Sequence, residues 1–163
     1  MNFLKCVLYL MAIGVVSFFA GRVIPKSWLK FQKGIFKCRA YEKNGKLYEC
    51  LNIKKWQNKV PDMSRILPFM MPPKNLAGDY QGRLPVMIRE TCTAELIHVF
   101  LCIAGLPVLK ILPGVGGIVV YLLYVVVFNL PYILIQRYNR PRLIRLYEKQ
   151  ISKESKQKEL VTA

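Results

Sequence analysis

Hydrophobic and polar positions are strongly segregated along the chain. Residues 3–20, FLKCVLYLMAIGVVSFFA, form an 18-residue run whose only charge is Lys5, close to the roughly 20 apolar residues a spanning helix needs. Residues 96–109 are a second run of 14 residues that ends at Lys110, so this segment can cross a bilayer only if Glu95 and His98 are part of its helix. Residues 114–135, GVGGIVVYLLYVVVFNLPYILI, are 22 uncharged residues with Asn129 and Pro131 near their end. The turn around Pro113, Gly114, Gly116 and Gly117 is too short for anything but a helical hairpin. The pattern predicts an all-α integral membrane protein of about three transmembrane helices: an N-terminal anchor over 3–21 and a C-terminal hairpin over 94–112 and 114–135. A basic, partly irregular interfacial loop over 22–93 and a basic tail over 136–163 complete a single membrane domain.

A signal peptide is the alternative for the first run. Cleavage after Ala20 would place Phe18 where a small residue is required, which favours an uncleaved anchor. Within the loop, Asn44-Gly45 is a hairpin signal, while residues 46–59 can equally form an interfacial helix with Trp56 at headgroup depth and Lys54, Lys55 and Lys59 toward phosphates. Five prolines between positions 61 and 85 exclude a long helix there, and ILPFMMPPKNL reads as an irregular apolar loop against the bilayer. The charged tail after Tyr147 reads as a frayed end.

Charge sets the orientation. The formal net charge is +16 with 53% hydrophobic residues and a mean hydropathy of +0.26, a combination that fits membrane spans with basic flanks. The segment 22–93 carries 15 Lys and Arg and the tail 8, against Lys110 alone in the hairpin turn, so both basic segments are expected in the cytoplasm. The expected location is a bacterial cell membrane, multi-pass, with the active face cytoplasmic. Nucleic acid is not an expected partner, because the basic residues fall in no recognition motif. The five cysteines form no Cys-x-x-Cys pair and read as reduced thiols.

The candidate chemistry lies at the start of the second span. Glu95 and His98 are three residues apart and share a helix face, on a stripe with Thr91 and Cys102. A carboxylate beside an imidazole can orient it as a general base. No metal site is expected, since the Glu-x-x-His half of a di-iron motif has no second histidine to complete it. After the third span, QRYNRPRLIR crowds Arg137, Arg140, Arg142 and Arg145 around Asn139 and a helix break at Pro141, a set suited to a phosphate or carboxylate. No Gly-x-Ser-x-Gly elbow or glycine-rich phosphate loop is present.

TAELIH, the hairpin and QRYNRPRL together resemble the glycosyl-4,4'-diaponeurosporenoate acyltransferase family, with further likeness at RVIP, YEKNGKLYE and IKKW. The chain departs from that pattern at Thr93 and Val99, where the family carries Arg and Trp. The resemblance implies esterification of a sugar hydroxyl on a glycosylated carotenoid by a fatty acyl group, the last step of a staphyloxanthin-like pigment. It implies His98 and Glu95 as catalytic, with Arg137, Asn139, Arg140, Arg142, Trp56 and Lys55 binding substrate or anion. No cofactor is expected to be tightly bound, and acyl-CoA or another acyl donor is the co-substrate. The expected partners are membrane lipids and a lipid-linked sugar acceptor. Two other readings fit the residues: transfer to another glycolipid or polyprenyl-linked glycan, and a non-enzymatic adaptor that binds anionic lipid.

Overall fold

The computed structural model describes residues 2–61 and 81–162, and every regular element among them is helical. In chain order they are α1 (Asn2–Val23), several 3-10 turns of which Ala40–Leu51 is the longest, α2 (Ile53–Trp56), α3 (Leu84–Ala104), α4 (Val108–Ile111), α5 (Val115–Phe128) and α6 (Leu130–Thr162). Among the described residues, three stretches are long and apolar enough to cross a membrane: Asn2–Val23, Leu84–Ile111 and Val115–Leu160. Their outer faces carry exposed large apolar residues, among them Val16 and Phe19 on α1, Phe100 and Ile103 on α3, and Leu122 and Val126 on α5. Lipid is the solvent that such faces match.

α3 is the central helix. α1 runs antiparallel to it, with the Tyr9 hydroxyl donating to the Ala104 carbonyl at 2.7 Å and Gly21 lying against Ile97 and Thr93. On another side the α5–α6 rod descends along α3, starting where the Tyr121 hydroxyl donates to the Cys102 carbonyl at 3.0 Å. The hairpin turn depends on Gly117, because a Cβ there would lie 1.9 Å from the Leu112 carbonyl oxygen. Pro131 explains the division of the rod at Asn129 (φ −123°, ψ −49°): it has no N–H to offer the preceding turn, and proline is a common cause of helix kinks.

Four sequence expectations change. α3 begins at Leu84, ten residues before the expected start at 94 and inside the segment read as interfacial loop. Its buried positions Leu84, Met87, Ile88, Thr91, Cys92 and Glu95 recur at helical spacing, and Leu84, Met87 and Ile88 pack with Leu143 of α6. Protein, not lipid, therefore covers this part of the helix. Second, only Ile53–Trp56 of residues 46–59 is α-helical. The Asn44-Gly45 signal prevails as a turn between helical segments, with no strands beside it, and Lys43, Asn44 and Gly45 all have positive φ. Third, the tail is helical to Thr162. Fourth, Pro141 does not break α6. The apolar loop ILPFMMPPKNL lies outside the described residues.

The turn and the proline meet. Pro141 cannot donate to the Arg137 carbonyl, and buried Gly45 sits at that place: a Cβ on it would lie 3.1 Å from the Tyr138 carbonyl oxygen and 3.8 Å from that of Arg137. Its φ of 87° is a left-handed conformation that costs a non-glycine residue about 1–2 kcal/mol. Gly45→Ala is expected to destabilise the docked loop by about that amount, measured as a lower unfolding midpoint of the detergent-solubilised protein. An unchanged midpoint would show that the loop does not depend on this contact.

Candidate functional site

Where α3 and α6 cross beneath the 3-10 segment, two buried carboxylates and two arginines interlock. Glu95, 5% exposed, commits both oxygens: Oε1 to Arg137 Nε at 2.6 Å and Oε2 to Arg140 Nη2. Arg140, 2% exposed, donates Nε to Thr91 Oγ1 at 2.9 Å, Nη1 to the Phe36 carbonyl at 3.0 Å and Nη2 to the Thr91 carbonyl at 3.0 Å. One guanidinium thus joins α3, α6 and the loop near Phe36. Its planar fork suits that task and a lysine would not.

Glu42, 1% exposed, is the second carboxylate. It accepts from the Arg39 backbone N–H and the Tyr48 hydroxyl and pairs with Arg137 Nη1 at 3.5 Å. Burial first, and the hydrogen bond to Glu42 second, raise the Tyr48 phenol well above its ordinary value, so it remains a donor. Burial and the Glu42 charge also raise the nearby Cys38 thiol, which makes it a poor nucleophile. The space beside the cluster, about 10 Å³ bordered by Cys38, Glu42, Arg137, Arg140 and Pro141, has room for about one water. These arginines are directed at protein groups.

His98 stands one turn further along α3 from Glu95, toward the hairpin turn. Its Nδ1 lies 3.0 Å from Asn129 Oδ1, and its ring stacks on Tyr132 with centroids 4.4 Å apart and planes at 8°. The expected pairing of Glu95 with His98 is replaced: the arginines of α6 take the carboxylate, and the amide of Asn129, at the junction of α5 and α6, takes the imidazole. Coulomb attraction in a poorly hydrated place favours two guanidinium partners over one imidazole.

The remaining expected residues spread over the same end of the molecule. Asn139 Nδ2 donates to Gln57 Oε1 at 3.0 Å. Arg142 pairs with Glu49 at 2.8 Å and lies 3.5 Å over the Tyr138 ring. Trp56 donates to the Leu51 carbonyl at 2.9 Å, and Lys55 is exposed. The sequence reading of the site omitted Glu42, Tyr48, Asn129 and Tyr132. Asn129 carried a signal, since a polar side chain inside an apolar span is costly unless it has a partner. Glu42 carried none beyond its place in YEKNGKLYE. Thr93 lies against Gly21 of α1 and Val99 is 40% exposed, and the ion pairs of Glu95 and Glu42 with Arg137 and Arg140 are made without either residue. Among the described residues no group of three or more His, Cys, Asp or Glu is arranged to hold a metal ion.

The family model described as glycosyl-4,4'-diaponeurosporenoate acyltransferase matches residues 25–149. Proteins named glycosyl-4,4'-diaponeurosporenoate acyltransferase from Staphylococcus aureus strains N315, bovine RF122 / ET3-1 and USA300 are each 32% identical to the chain over 144 residues, covering 86% of it and 85% of their own length. No solved structure matches.

Proposed function

The chain belongs to the glycosyl-4,4'-diaponeurosporenoate acyltransferase family, and we propose that it esterifies a sugar hydroxyl of a glycosylated carotenoid with a fatty acyl group, the closing step of pigment synthesis. The broader activity, acyl transfer in carotenoid pigment synthesis, follows from that membership. The observation that carries the finer reading is His98, held by Asn129 and Tyr132 at the level where the apolar spans give way to the charged cluster. A carotenoid glycoside has matching parts, an apolar chain for the lipid and a sugar for the polar boundary.

In this mechanism the acceptor hydroxyl gives its proton to the His98 ring as its oxygen bonds to the acyl carbonyl carbon. The carbon–sulfur or carbon–oxygen bond to the donor's leaving group then breaks, and the imidazolium returns the proton to that group. Histidine is regenerated and no acyl-enzyme forms. Glu95, Arg137 and Arg140 act by holding α3, α6 and the loop in register, so the donor's anionic part falls to more accessible groups, Arg142 and Lys55 with Trp56 and Asn139 beside them. The basic surface is taken to face the cytoplasm, in keeping with the positive-inside rule.

Purified protein in lipid vesicles, supplied with a fatty acyl donor and a panel of lipid-linked sugars, tests the reading. The expected result is one added acyl group on the glycosylated carotenoid. Acylation of another glycolipid with the carotenoid left unmodified would transfer the assignment to that acceptor, and no acylation of any acceptor would favour the adaptor.

A further inference from the structure

We propose that Asn129 is a positioning residue that holds His98 in the Nδ1–H tautomer, making Nε2 the atom that takes the acceptor's proton. This rests on the reading of His98 as the base. Asn129 is 1% exposed, and its amide is oriented by two contacts of opposite kind. Nδ2 donates to the Tyr124 carbonyl at 2.9 Å, and Oδ1 faces His98 Nδ1 at 3.0 Å. A carbonyl can only accept, so the NH2 group must face Tyr124 and the oxygen must face the imidazole. Rotating the amide by half a turn would set two carbonyl oxygens against each other and leave a buried donor and acceptor mismatched. An amide oxygen also only accepts, so Nδ1 must carry the hydrogen. In the neutral ring the lone pair then sits on Nε2.

The local chain builds this arrangement. Pro131 interrupts the rod at Asn129, and Tyr132 lies just beyond the interruption, in the first turn of α6. Asn129, at the junction of α5 and α6, therefore reaches the ring edge of His98, and Tyr132, in the first turn of α6, reaches the ring face, so the ring's plane and its tautomer are set together. The step is a proton transfer: the hydroxyl O–H bond breaks, an Nε2–H bond forms, and the same proton leaves with the donor's leaving group.

His98 is the single histidine of the chain, so ¹⁵N-histidine labelling of the full-length protein in nanodiscs reports on it alone. At a pH where the ring is neutral, the expected spectrum has a protonated, pyrrole-type Nδ1 and an unprotonated, pyridine-type Nε2. Asn129→Asp gives up the donor to the Tyr124 carbonyl and favours the imidazolium, but it keeps an acceptor for Nδ1–H and is expected to keep this signature in the neutral ring, reached at higher pH. Asn129→Leu removes that acceptor and is expected to shift the population to the other tautomer, with kcat falling about 10²-fold and KM changing little. A wild-type spectrum with hydrogen on Nε2, or an Asn129→Leu spectrum unchanged from wild type, would overturn the proposal. If Asn129→Leu fails to fold, the wild-type and Asn129→Asp spectra still decide. An active His98→Ala protein defeats the base assignment whatever the tautomer, whereas hydrogen on Nε2 in wild type with an inactive His98→Ala defeats only the role of Asn129.

Discussion

Replacing His98 with alanine is expected to lower the acyl-transfer rate by about 10²–10⁴-fold, the usual contribution of a positioned general base, while the protein still inserts and folds. The fold should survive because, among the described residues, His98 belongs to neither of the two buried apolar clusters: Leu84, Met87, Ile88 and Leu143 form one, and Leu29, Phe36 and Cys92 the other. Among the described contacts, the substitution removes a hydrogen bond to Asn129 and a ring stack on Tyr132, worth about 1–3 kcal/mol together. Initial rates in vesicles, at matched protein content and matched helical circular dichroism, measure the effect. A rate within twofold of wild type would remove His98 from the mechanism.

The second large effect concerns stability. Arg140→Ala is expected to destabilise the protein by about 3–5 kcal/mol, because removing one partner of a buried ion pair leaves the other charge uncompensated. Glu95 would keep only Arg137, itself shared with Glu42, and the Phe36 and Thr91 carbonyls would lose their guanidinium donors. Arg140→Lys keeps the charge but cannot reach three elements with one planar group, so it should fall between wild type and alanine. The double variant Glu95→Leu with Arg140→Met, which removes both charges, should be milder than Arg140→Ala alone. Reversible unfolding in mixed micelles reads these differences. Equal midpoints for wild type and Arg140→Ala would show that the cluster does not tie the spans to the loop.

Hydropathy made the three spans legible, because about 20 apolar residues without charges have few structural uses other than crossing a bilayer. The start of α3 was hidden from that criterion, since positions 84–95 are buried against protein. Their signal was periodic, Leu84, Met87, Ile88, Thr91, Cys92 and Glu95 on one face, and periodicity is the better guide where a membrane helix leaves lipid. The partners of Glu95 and His98 were legible only as a short inventory. Sequence spacing favours the local i, i+3 pair, but Arg137, Arg140 and Asn129 arrive from more than 30 positions away, and the crossing of α6 over α3 decides who meets whom. Glu42 reaches the cluster only because Lys43, Asn44 and Gly45 turn left-handed, a path that Asn44-Gly45 permits but does not dictate. Pro141 was misread for a related reason: a helix can keep a proline when its neighbours pack around the carbonyl it leaves unpaired.

The account is tested most directly in cells that make glycosyl-4,4'-diaponeurosporenoate and have no acyltransferase of their own for it, by mass spectrometry of the extracted pigment after expression of the wild-type chain or of His98→Ala. The predicted result is a pigment heavier by one fatty acyl group, linked as an ester to the sugar, with wild type and a large loss of that product with His98→Ala. An unmodified pigment despite protein present in the membrane, or the same ester formed equally by both proteins, would contradict it.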